Sequence, residues 1–119
     1  MAGKVQMQGF EVYKARIVDI AARAHPIVQP GDMLRAAGLS DPDSLKEIDN
    51  AVQRIEMLRV RHSPGNRAAE KAEDLREAGR DLHILRREMQ EGEVAAPPEA
   101  DSEALAYIAD MLIVKSYHR

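Results

Sequence analysis

At 119 residues the chain fits one domain built on a single core. Its only aromatic residues are Phe10, Tyr13, Tyr107 and Tyr117, and it has no Trp and no Cys, so Leu, Ile, Val, Met and Ala must form the core, and disulfides, thiolate metal sites and cysteine nucleophiles are excluded. A formal net charge of −3, with 31% of residues charged, gives no long-range pull toward nucleic acid or an acidic membrane.

The first nine residues show no apolar run resembling a secretory signal, so export by that route is not expected. A first helix is predicted from about Gln8 to Ala24, with Tyr13, Ile17, Ile20 and Ala24 recurring on one face. His25-Pro26 ends it, because the residue before proline is pushed out of the α region. Asp32 is read as the N-cap of a short helix through Ala37, and Gly38 as its left-handed C-terminal stop.

Ser40-Asp41-Pro42-Asp43 then combines capping side chains with a proline suited to the first helical position. The third helix, about 43–62, carries the heptad-like seam Leu45, Ile48, Val52, Ile55 and Leu58. Ser63-Pro64-Gly65-Asn66 reads as a tight turn, and a fourth helix, 67–91, follows with the seam Ala68, Ala72, Leu75, Ala78, Leu82, Leu85 and Met89. A connection this short predicts an antiparallel helical hairpin. Folded at the turn, Ile55 and Leu58 meet Ala68 and Ala72, so the axes approach there. At the other end Leu45 and Ile48 face Leu82, Leu85 and Met89, leaving an end to be covered by the first helix, the last helix or a second subunit.

Residues 92–101, with Pro97-Pro98, read as an extended and mobile linker. A last helix follows from Asp101 or Ser102 to Tyr117, with Leu105, Ile108, Met111 and Leu112 on one side and Asp110 expected at an exposed edge. Its apolar stretch falls well short of the ~20 residues needed to cross a bilayer. The expected fold is all-α: a single helical domain in which the 43–62 and 67–91 hairpin packs with an N-terminal, a short and a C-terminal helix.

Charge on the fourth helix is segregated. At about 100° per residue, Glu70, Asp74, Glu77, Asp81 and Glu88 form one stripe. Arg76, Arg80, His83 and Arg87 form another, about 140° from the apolar seam and roughly 16 Å long. The basic stripe suits an acidic protein groove or a phosphate backbone. Set against this, Glu73 with Arg76, Glu77 with Arg80 and Arg87 with Glu91 are spaced to pair along a solvated helix. A second basic cluster, Arg59, Arg61, His62, Arg67 and Lys71, surrounds the turn, where it also complements a helix dipole.

Residues 32–58 have the outline of a helix-turn-helix, but the reading end, Asp41, Asp43, Lys46, Glu47 and Asp49, is net negative and would repel phosphates. His25, His62, His83 and His118 are far apart in sequence and enter no metal-binding spacing; no Walker, GxGxxG, HExxH or GxSxG motif is present. No catalytic, cofactor or metal residue is assigned. The expectation is a cytoplasmic, non-enzymatic helical protein, without cofactor or membrane contact. It would bind another macromolecule, a protein in the first place, as regulator, inhibitor or assembly subunit. The candidate contact residues are Arg76, Arg80, His83 and Arg87 on the fourth helix and Arg59, Arg61, Arg67 and Lys71 at the turn. A homo-oligomer is a further expectation, and a nucleic-acid-binding regulator using the same patches is the alternative.

Overall fold

A computed structural model of the chain describes the backbone of residues 2–62, 65 and 67–117, and the side chains of residues 10–61, 65 and 67–117. The described residues form five helices, α1 (Ala2–Ala24), α2 (Pro30–Ala37), α3 (Pro42–His62), α4 (Arg67–Gln90) and α5 (Ser102–Ser116), and no strand. The all-α class read from the sequence holds. The Ser63-Pro64-Gly65-Asn66 turn, apart from Gly65, and His118 lie outside the described residues.

Helix ends follow the local chemistry closely. Asp41 accepts a hydrogen bond from the Ser44 N–H at 3.0 Å and so caps α3 ahead of Pro42. Asp101 does the same for α5, accepting from the Ala104 N–H at 3.1 Å. The expected cap of α2 is displaced: the helix starts at Pro30 with Gln29 before it, and Asp32 lies in the first turn, paired with Arg35 at 3.2 Å. Proline at the first position sets φ for the helix and lacks the N–H that a cap would satisfy, so the cap position moves three residues upstream, from Asp32 to Gln29. Gly38 ends α2 with φ 75°, and the Gly38 and Leu39 N–H groups turn back to the Arg35 and Leu34 carbonyls. A side chain there would also collide with the backbone at Ala100.

One continuous core joins all five helices. It takes Tyr13, Ile17, Ile20 and Ala24 from α1, Met33 and Ala37 from α2, and Ile48 from α3. α4 supplies Leu75, Ala78, Leu82 and Leu85, and α5 supplies Leu105, Ile108, Ala109 and Leu112. The buried Tyr13 hydroxyl donates to the Ala37 carbonyl at 2.6 Å, and burial pushes its pKa above the ordinary phenol value.

α4 is the central rod, but its seam serves α5 and α1 more than α3. Gly79 lets α5 approach so closely that a Cβ there would lie 2.7 Å from the Ala109 carbonyl oxygen and 2.6 Å from Ile113. Contacts of Arg86 and Gln90 with Ser102, His83 with Asp110 and Arg76 with Tyr117 run in opposite chain directions, so α4 and α5 are antiparallel. α1 is likewise antiparallel to α4, through Arg16 with Glu88 and Arg23 with Asp81, and it also packs along α3. The short turn does bring the ends of α3 and α4 together, where Arg59 pairs with Asp74, but contact between them is sparse.

The start of the α3 seam is covered by the first helix, one of the three coverings expected there, although Leu45 stays 43% exposed; the end toward the turn is the more open one. Ser44 and Ile48 are buried, while Leu58 is exposed, along with Met57 and Val60. α1 and α2 occupy the space beside the start of α3, and α5 takes the face of α4 that was expected to receive it. The 92–101 segment is docked: Val94, Ala96 and Ala100 pack on the core and the Asp101 N–H bonds the Ala36 carbonyl at 2.8 Å. No described helix is long and apolar enough to cross a membrane.

Candidate interaction surface

The two charged stripes of α4 have opposite fates. Three acids of one stripe are taken by arginines from neighbouring helices: Glu88 by Arg16 at 2.8 Å, Asp81 by Arg23 at 2.7 Å, and Asp74 by Arg59. Two arginines of this ladder are largely buried along the flanks of the bundle. Burial opposes the charge on Arg23, but hydrogen bonds and attraction from Asp81 and Asp19 outweigh it and hold the guanidinium pKa above its ordinary value. The hydrogen bond from Arg16 holds the Glu88 carboxyl below the usual carboxylate range. Arg59 is 7% exposed, and its Nε has no partner among the described residues.

On the basic stripe, Arg80 and Arg87 are exposed and form no ion pair among the described residues. Arg76 is held inward, bonded to Glu73 at 2.9 Å and stacked 4.2 Å from the centre of the Tyr117 ring. His83 Nε2 lies 2.8 Å from Asp110 Oδ1 across the α4–α5 junction. Of the three pairs spaced along α4, only Glu73 with Arg76 forms. Asp110 stands at the exposed edge expected for it.

Beside this stripe α5 and its C-terminal cap turn an exposed row outward. Tyr107 is 71% exposed, Tyr117 64% and Val114 56%, at helical spacings that put them with Asp110 on one face. The register set by His83 with Asp110 and Arg76 with Tyr117 carries Arg87 to the level of Tyr107 and Arg80 to the level of Val114. The result is a two-helix face of exposed tyrosine and valine edged by unpaired guanidinium groups. Sequence reasoning found its α4 half and missed its α5 half. The seven-residue spacing of Tyr107 and Val114, on a helix whose other side already supplies a full core seam, was the available signal.

The turn-proximal cations are mostly engaged within the fold. Arg59 bonds Glu56 at 2.7 Å as well as Asp74, and Arg67 and Lys71 lie 3.8 and 3.7 Å from the same Glu56. Arg61 alone of the four is exposed and outside any ion pair among the described residues. Two open hollows of about 480 and 500 Å³ flank Arg59. One is lined by Ile55, Leu58, Asp19 and acids of α4, the other by Ile27, Ala68, Ala72 and Leu75 among others. No group of three His, Asp or Glu side chains stands in metal-holding geometry among the described residues.

Comparison with known proteins finds no matching protein family, no matching curated protein and no matching solved structure.

Proposed function

We propose that the protein is a non-catalytic helical interaction protein that docks a protein partner on the α4–α5 face, as regulator, inhibitor or assembly subunit. The reading rests on one observation: exposed Tyr107, Val114 and Tyr117 stand beside Arg80 and Arg87, neither of which has a carboxylate partner among the described residues. Tyrosine brings large contact area with only two rotatable side-chain bonds, and arginine brings a planar fork for carboxylates. These are the residue types in which binding energy concentrates at protein interfaces. An acidic groove with an apolar floor is the complementary surface.

The test is crosslinking capture from the native host by the wild type and by a Tyr107→Ala/Arg87→Glu variant whose helicity matches it. Loss of the same captured protein from the variant supports the assignment; an unchanged set of captured proteins contradicts it. A nucleic-acid regulator would draw on the same guanidinium groups. Glu77, Glu103 and Asp110 lie exposed on the same two helices and weaken the field that a polyanion would meet. Salt-sensitive binding of duplex or single-stranded DNA, lost on Arg80→Glu/Arg87→Glu, would favour that alternative.

A further inference from the structure

We infer that the outer face of α3 is a self-association surface on which two copies of this chain pair antiparallel. At about 100° per residue, Asp43, Glu47, Arg54, Leu58 and Arg61 fall within about 40° of one direction, about 120° around the helix from buried Ile48. All five are exposed, and none of the four charges enters an ion pair among the described residues. The stripe is polar along its length, with two acids toward the start of the helix and two arginines toward its end.

Between the arginines is an almost wholly apolar depression of about 210 Å³ lined by Arg54, Met57, Leu58 and Arg61. Met57 and Leu58 are 59% and 55% exposed. A parallel partner of the same sequence would set acid on acid and arginine on arginine. An antiparallel partner, with the two-fold axis near residue 52, brings Asp43 to the second copy's Arg61. Glu47 then sits over the second copy's depression, with its methylenes on Met57 and Leu58 and its carboxylate reaching Arg54. Each contact occurs twice, as two-fold symmetry requires. The charge order of this one helix thus selects a second copy and fixes its direction.

A single helix pair buries less than a standard interface, so the dimer is reversible, with a dissociation constant on the order of 10–100 µM at low salt. Sedimentation equilibrium over a concentration series tests it. The wild type is expected to dimerise at low salt and to dissociate as salt screens the four pairs. Arg54→Glu/Arg61→Glu, with all-acidic stripes, and Asp43→Lys/Glu47→Lys, with all-basic ones, should each self-associate on the order of tenfold more weakly or worse. An equimolar mixture of the two should recover association as a heterodimer. Tyr107→Ala on the α4–α5 face should leave the wild-type dimer intact. Two results would overturn the inference: a wild type that stays monomeric at the highest concentration in low salt, or a mixture that associates no better than its components. Helicity is measured for every variant, and because Asp43 lies in the first turn of α3, the single Glu47→Lys chain serves as the basic partner if the double variant unfolds.

Discussion

Two stripes of opposite charge on one helix, drawn by similar spacing, do different work. The acidic stripe of α4 faces α1 and α3, and Asp74, Asp81 and Glu88 each hold an arginine against the bundle. The basic stripe lies toward α5, whose outward row leaves Arg80 and Arg87 in solvent. Segregated charge on an amphipathic helix therefore marks two flanks without saying which is internal. Neighbouring helices decide, and they decide through complementary spacing: Arg16 and Arg23 are seven residues apart on α1, as are Asp81 and Glu88 on α4, and the pairs match when the chains run in opposite directions.

The largest expected effect would break the comparison by separating α4 from α5. Gly79→Leu forces a side chain into Ile113 and the Ala109 carbonyl, so a loss of about 3 kcal/mol or more is expected in urea unfolding, with exposure of the core as the visible consequence. A smaller loss should follow from Asp74→Ala/Asp81→Ala, which strips largely buried Arg59 and Arg23 of their cross-helix partners. Removing one member of a fully buried pair costs about 3–5 kcal/mol, but Glu56 and Asp19 remain beside these guanidiniums, so about 2 kcal/mol is expected.

Asp41→Ala removes the α3 cap and the Lys14 contact at 3.0 Å, and should cost about 1 kcal/mol. The Lys14 hydrogen bond, joined by the one from Ser44, holds Asp41 below the usual carboxylate range, as Arg16 does for Glu88. Both groups bind protons more readily in the unfolded chain. Their contribution is thus fully present above the unfolded values of about 4 and is lost as pH falls through the lower folded ones. Unfolding free energy should decline on acidification from about pH 5, and Asp41→Asn should flatten that decline. An unchanged slope would remove Asp41 from the acid-sensitive set. The smallest effect is expected on the other flank, where Arg80→Ala/Arg87→Ala should stay within about 0.5 kcal/mol of wild type.

Much of the helical layout was legible because its boundaries are written in local chemistry. Pro26, Gly38, Asp41-Pro42 and Asp101 each satisfy or remove a backbone group at a helix end, and such effects need no knowledge of the rest of the chain. The pairing of α4 was not legible in the same way. Its seam of Ala and Leu fits any apolar neighbour, and the short turn favoured α3. Gly79 carried the missing information, since a glycine within a long helix weakens it unless another backbone comes close. The turn cations illustrate a further limit: Arg59, Arg67 and Lys71 look basic in sequence, yet a single acid of α3, Glu56, gathers all three. Tyr107 and Val114 were passed over because α5 is apolar on both sides, which hides an outward row beside an inward one.

The contrast between the flanks of α4 is tested most directly by side-by-side equilibrium urea unfolding of Asp74→Ala/Asp81→Ala and Arg80→Ala/Arg87→Ala. The acidic variant should lose about 2 kcal/mol while the basic variant keeps wild-type stability. Equal losses, or a larger loss from the arginine pair, would contradict the division into an internal acidic flank and an outward basic one.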